Sequence, residues 1–243
     1  MSNSDWITPD WPAPPNVRTL STTRNGGIGS APYASFNLGD HVGDDPLIVA
    51  RNRSLLRAYL PAEPLWLKQV HTVNVADADT AAGIPEADAS VARRANKVCA
   101  VLTADCLPIL LCDRQGTVVA AAHAGWRGLA GGAIEATVAA MHADPATLMA
   151  WLGPAIGPAA FEVGAEVRET FLAQDSGAAA AFSTLGNGKW LADLYRLARL
   201  RLMQTGISQI SGGEYCTYRD QERFFSYRRD HTTGRMASLI WLS

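Results

Sequence analysis

The stretch TADCLPILLCDRQGTVVAAAHAGWRG, residues 103–128, carries two apolar runs around a polar turn. Leu107–Cys112 and Val118–His123 are strand-sized, and Asp113-Arg114-Gln115-Gly116 between them is turn-like. With those four residues as the loop, the runs pair as a hairpin and Cys106 lies directly opposite His123. Directly opposed side chains share a face, with Cβ atoms roughly 4.5–5.5 Å apart. That separation suits a nucleophile with its base, and it equally suits two ligands of one metal. A third reading makes both residues polar members of the core, since Cys is among the most buried residue types. Asp105 and Arg127 weigh against it, because charge beside a thiol tunes thiolate reactivity. Pro108 cannot donate to a ladder, so it calls for an edge or a bulge. A one-residue slip would turn His123 to the other face.

Outward from this hairpin, Val98–Leu102 reads as a buried strand and Leu129–His142 as a helix. Upstream, Asn16–Thr22 reads as a strand, and the glycine-rich Arg24–Asp45 as a long loop of functional character. That loop has no phosphate-cradling fingerprint. Pro46–Leu60 reads as a helix with Pro in its first turn. LWLKQVHTVNVADAD, residues 65–79, alternates like a strand pair and carries His71. Downstream, Leu148–Leu152 is a short strand, and Val163–Gln174 and Leu191–Thr205 are helices, the second closed by Gly206. The Ala-rich Ser176–Ala181 extends a helix. Gln209–Cys216, Phe224–Arg228 and Met236–Leu242 read as strands. Helices and strands mix without strict β-α-β alternation. This predicts an α+β fold with mixed, largely antiparallel sheets flanked by helices. Residues 1–243 form a single domain in this reading, with 1–15 an extended N-terminal segment.

The 243 residues are 48% hydrophobic and 18% charged, enough for a sizeable core. A net charge of −2 argues against nonspecific nucleic-acid binding. No apolar run approaches the length of a membrane span, and MSNSDWITPDWPAPP lacks a signal pattern, so a cytoplasmic protein is expected. Cys99, Cys106, Cys112 and Cys216 show no C-x-x-C pairing and are read as thiols.

KQVH at 68–71, TADCLPILL at 103–111, AAAHAGWRG at 120–128, WLGPAIGP at 151–158 and FFSYRRDHTTGRMAS at 224–238 resemble the YfiH family. Members of that family have been called multicopper polyphenol oxidases, purine nucleoside-processing enzymes and peptidoglycan editing factors. The resemblance runs from about Arg18 to Ser243. It implies a fold related to the catalytic domain of the cytotoxic necrotizing factor toxins. It also implies one zinc ion per chain, held by His71, Cys106 and His123. Two imidazoles and a thiolate leave one open position, as in catalytic zinc sites. Asp105 is then either a proton-transfer group or a carboxylate that caps the turn or orients a ligand imidazole.

The implied activity is phosphorolysis of adenosine, inosine and methylthioadenosine to base and ribose 1-phosphate, together with deamination of adenosine to inosine. Phosphate calls for cations, and Arg24, Arg127, Arg228 and Arg229 are the candidates. Phe36 and Asn37 are candidates to stack and hydrogen-bond a purine, and Trp126 to wall the pocket. The alternatives are a metal-free Cys–His amide hydrolase editing peptidoglycan precursors, and a non-catalytic partner protein. A multicopper oxidase would need around ten imidazoles, against five in this chain. Copper in the same His₂Cys set remains an alternative metal. A monomer or small homo-oligomer is expected.

Overall fold

Hydrophobic runs covered on both faces need not alternate, and the apolar runs of this chain form such strands. The structure is a computed structural model and describes residues 5–243. In chain order the elements begin with β1 (Val17–Ser21), α1 (Pro46–Arg57), β2 (Pro64–Leu65), β3 (Val75–Asp77) and β4 (Ala89–Ala92). Next come β5 (Val98–Thr103), β6 (Leu107–Asp113), β7 (Val119–Ala124), α2 (Trp126–Gly131), α3 (Ala133–Met141), β8 (Leu148–Leu152) and β9 (Glu162–Gly164). The chain continues through α4 (Ala165–Leu172), β10 (Phe182–Gly186), β11 (Lys189–Ala192), α5 (Leu194–Gln204), β12 (Gln209–Gly212), α6 (Tyr227–Asp230) and β13 (Met236–Leu242).

A six-stranded sheet runs β12-β8-β6-β7-β4-β3, a four-stranded sheet β1-β13-β5-β2, and a three-stranded sheet β10-β11-β9. Among the described strands only β12/β8, β2/β5 and β3/β4 pair in parallel. The fold is therefore α+β with mixed, largely antiparallel sheets, as the sequence predicts. Along β6, Leu107, Ile109 and Leu111 pack in the core that contains Leu129 and Ile134 of α2 and α3. Leu110 and Cys112 pack with Cys99, Val101 and Ile240 of the four-stranded sheet. That sheet's other side holds Ala100, Leu102 and Leu239 against Phe36, Leu38 and Leu56.

The β6–β7 register differs from the predicted one by two residues. Cys112 pairs with Val119 and Pro108 with His123. The turn is longer than four residues because the Asp113 carboxylate closes it. It accepts hydrogen bonds from Thr117 N at 2.7 Å, Thr117 Oγ1 at 2.6 Å and Val118 N at 3.1 Å. A two-residue shift preserves the face, so Cys106 and His123 remain on the same side as diagonal neighbours. Pro108 occupies a central strand without a bulge. Its carbonyl accepts from Gly153 N, so its missing donor faces β8, whose ladder with β6 starts one residue later at Ile109–Leu152.

Other predicted elements are also revised. Residues 66–74 form an irregular segment between β2 and β3, because the N–H groups of residues 70–72 bond a carboxylate instead of a neighbouring strand. The helix predicted over Leu129–His142 is two helices, divided at Gly132, whose φ of 97° lies in the left-handed region. Phe224–Arg228 is no strand: Phe225 N bonds the Met236 sulfur, and the Ser226 side chain caps α6. Ser176–Ala181 is a 3₁₀ helix and Gln209–Cys216 shortens to β12, while β4 and the β10–β11 hairpin were not predicted. Of the N-terminal segment 1–15, residues 1–4 lie outside the described residues. The remainder has no helix or regular strand, and Ile7 bridges Ser21.

Asp113→Ala removes the three-donor acceptor of the β6–β7 turn. Hydrogen bonds to charged groups contribute about 1.5–3 kcal/mol, so a stability loss of about that size is expected in urea unfolding.

Candidate metal centre and adjoining cavity

A carboxylate that accepts several backbone N–H groups can hold a loop against a strand. Asp88, just before β4, does this for the His71 loop. Its oxygens accept from Val70 N at 3.2 Å, His71 N at 3.0 Å, Thr72 N at 2.6 Å and Thr72 Oγ1 at 3.0 Å. Gln69 completes the clamp on β5. It donates Nε2 to Leu102 O at 2.9 Å and accepts from Leu102 N at 2.7 Å. His71 is thereby held at a φ of 62°, a backbone conformation uncommon outside glycine.

The same Asp88 carboxylate lies 2.8 Å from His123 Nδ1. A carboxylate accepts, so Nδ1 donates, and Nε2 is left for the site. The peptide of His123 is tied as well, its N–H donating to Asp88 O at 2.7 Å. Burial raises the carboxyl of Asp88, but hydrogen bonds from His123 and Thr72 outweigh it and hold the group down to about 2.

Cys106 sits at the mouth of β6, its Sγ 3.8 Å from His71 Nε2. The rings of His71 and His123 meet edge-on with centroids 4.8 Å apart. The donor atoms of His71, Cys106 and His123 all lie within 4.8 Å of one another, and among the described residues they form the only such group of three. Zinc bonds of about 2.0–2.3 Å place paired donors roughly 3.5 Å apart, close to the Cys106–His71 separation. Gly125 leaves the room, since a Cβ there would approach Cys106 Sγ to 2.8 Å. Burial pushes the Cys106 thiol up, yet the charge of His123 and hydrogen bonds from His123 and His71 hold it down to about 6. The corresponding effect on His123 is upward: burial lowers it, while Cys106 and Asp88 together raise it more.

The three donors line a cavity of about 510 Å³, within the range of small-molecule sites. Trp126 and Arg127 line it, with the Arg127 guanidinium over the Trp126 ring. Among the further lining residues, His41, Gln69, Tyr227 and Arg235 were not singled out in the sequence. Arg235 donates Nη1 to Thr233 O and Gly234 O and forms no ion pair among the described residues. Asp88 was missed too; its one signal was an acid isolated in the apolar run ADASVA.

The remaining residues that the sequence pointed to sit elsewhere. Phe36 and Asn37 are fully buried and do not line the cavity. Phe36 packs on Trp6, and Asn37 bonds Gly39, Asp44 and Arg235 N. Arg24 and Arg229 lie in a separate surface depression, where Arg229 pairs with Asp230. Arg228 donates Nη1 to Glu162 O beside a smaller pocket. Asp105, at a φ of 90°, accepts from Thr217 Oγ1 at 2.6 Å and Arg228 N at 2.7 Å. Both its oxygens are engaged away from the cavity, so it positions the TADC turn.

An α+β fold that gathers two histidines and one cysteine, a set able to hold a metal, at the wall of a cavity defines the class of this protein. Residues 18–243 match the family model described as multi-copper polyphenol oxidoreductase laccase. The chain belongs to that family, the YfiH family. It is 55% identical to purine nucleoside phosphorylase YfiH of Escherichia coli, over 98% of this chain and 99% of the relative. It is 54% identical to a purine nucleoside phosphorylase of Pseudomonas aeruginosa, over 98% of each. Its fold superposes on a Neisseria meningitidis protein of family DUF152 with a TM-score of 0.95 at 54% identity, covering 98% and 99% of the two chains. For YlmD of Geobacillus stearothermophilus the TM-score is 0.90 at 30% identity, covering 98% and 96%. No helix among the described residues is long and apolar enough to cross a membrane.

In metal-free protein, the depressed thiol gives a directional pH dependence. Thiolate is present above about pH 6 and lost as pH falls through that value. Iodoacetamide should therefore label Cys106 with a midpoint near 6, measured by mass spectrometry, whereas buried Cys99, raised to about 12, stays unlabelled.

Proposed function

We propose that this chain is a zinc-dependent purine nucleoside phosphorylase that also deaminates adenosine to inosine. The observation that carries the reading is the open His71–Cys106–His123 set in a cavity that Arg127 and Arg235 also line. The names of the relatives support the same substrate class. Adenosine, inosine and methylthioadenosine are the proposed nucleosides, and phosphate the co-substrate. In phosphorolysis a phosphate oxygen bonds C1′ while the C1′–N9 bond breaks, and its electron pair leaves with the base. In deamination water adds at C6 and ammonia leaves.

His71, Cys106 and His123 would hold the zinc, which supplies Lewis acidity; copper in the same donors is the alternative metal. Asp88 keeps the His123 proton on Nδ1 and turns Nε2 inward. Arg127 and Arg235 bind the phosphate, Arg suiting oxyanions by its planar fork. Trp126 walls the nucleoside, and Asp105 holds Cys106 in place. Multicopper chemistry would need a second cluster of ligands, and among the described residues His71, Cys106 and His123 form the only group of three.

One observation favours a second reading. Cys106, His123 and Asp88 are arrayed like a nucleophile, base and orienting acid. That array would serve a metal-free amide hydrolase acting on peptidoglycan precursors.

The two readings separate on His71. Zinc-loaded wild-type protein should release ribose 1-phosphate from adenosine or inosine with phosphate. His71→Ala should lower kcat/KM by at least about 100-fold, the upper end of what loss of a mere outer-sphere partner costs. An amide hydrolase would tolerate His71→Ala and lose activity in Cys106→Ala and His123→Ala. Arg235→Gln should raise the KM for phosphate roughly tenfold or more, from the loss of a charge-assisted hydrogen bond. No ribose 1-phosphate from any of these nucleosides would overturn the phosphorylase reading.

A further inference from the structure

A second, smaller pocket of about 140 Å³ opens beside the metal centre. It shares Ala104, Cys106, Gly125, Trp126 and Tyr227 with the main cavity, so the two spaces meet at the thiol. Its own walls are Ile156, Phe161 and Leu194, all buried. The two charged residues at its edge offer little to a polar guest. The oxygens of Asp105 are engaged by Thr217 and Arg228 N, and the Arg228 guanidinium donates to Glu162 O and lies over the Phe161 ring. Polar groups are confined to its mouth, at Cys106 and Tyr227; a water needs two to four polar partners, so the apolar depth of the recess is better filled by carbon or sulfur.

We propose that this recess is a subsite for an unbranched apolar arm carried by the substrate in the main cavity. At roughly 30 Å³ per water-sized atom, it holds an arm of about four or five non-hydrogen atoms. The inference rests on the nucleoside reading above and adds a specificity element to it. Leu194 and Phe161 set the length of the arm. The arm can belong to the base or to the sugar; the apolar chemistry is the same, and the experiment separates the two.

The test uses zinc-loaded protein and two ladders of adenosine analogues. One ladder carries n-alkylthio groups at C5′ and the other n-alkyl groups at N6, from methyl to hexyl. Kd is measured by calorimetry and kcat/KM by release of base. In one ladder, affinity should rise about fourfold per methylene and stop once the arm reaches about four or five atoms. The responding ladder identifies which end of the nucleoside faces the recess. Leu194→Phe should move the break to a shorter arm and Phe161→Leu to a longer one. Each is read as a ratio to unsubstituted adenosine in the same variant, so a general loss of folded protein cancels. Adenosine turnover with no length dependence in either ladder, or a break unmoved in both variants, overturns the subsite and leaves the phosphorylase reading standing. A length-dependent Kd without cleavage of any compound keeps the subsite and overturns the phosphorylase reading. No binding by any compound overturns both.

Discussion

The site depends on one buried carboxylate. Asp88 receives three consecutive backbone N–H groups from the His71 loop, and the same group holds His123 by its Nδ1. A loop lacking strand pairing and a strand in the central sheet are thereby fixed to one point. An anion buried in this way is costly unless its hydrogen bonds are made, and here five donors make them. The arrangement orients the His123 imidazole and fixes the backbone that carries His71 before any ligand arrives. Such outer carboxylates fix the tautomer and ring orientation of metal-binding histidines.

The sheets supply the third donor. β6 and β7 carry His123 on the face turned toward the four-stranded sheet, the face shared by Val119 and Ala121. Cys106 reaches that face from the turn before β6, where the engaged carboxylate of Asp105 sustains a left-handed backbone. Gly125, lacking a side chain, keeps the thiol accessible to both imidazoles. Small residues in β7, Ala120 to Ala122, let the layers on both faces approach closely enough to exclude water from the strand. Backbone strain, small residues and a buried charge converge on one place, as they do where binding or chemistry is done.

Much of this was legible in the sequence, and the exceptions share a cause. The β6–β7 pair, β8 and β13 were readable because local apolar runs suffice to specify them. The face shared by Cys106 and His123 was also readable, even though the register was two residues off, because the side-chain period of a strand is two. The turn length depended on Asp113 closing around Thr117, a contact that spacing alone does not reveal. Asp88 showed only as an acid in an apolar run, and its role was hidden because its partners lie 16–18 and 35 residues away. Phe36 and Asn37 had the composition of a purine-binding pair. Their full burial reflects a different task, packing and pinning the long loop beneath the four-stranded sheet. Among the arginines, composition could not separate Arg235, which lines the cavity, from Arg24 and Arg229, which face elsewhere.

The most direct test is calorimetric titration of zinc into chelator-treated protein, comparing wild type with Asp88→Asn and Asp105→Asn. Asp88→Asn should weaken zinc binding about 10- to 100-fold, because it disorders two of the three ligands at once. Asp105→Asn should weaken it less, because its carboxylate reaches only Thr217 and Arg228. Equal zinc affinity in wild type and Asp88→Asn, or no stoichiometric uptake by wild type, would contradict the account.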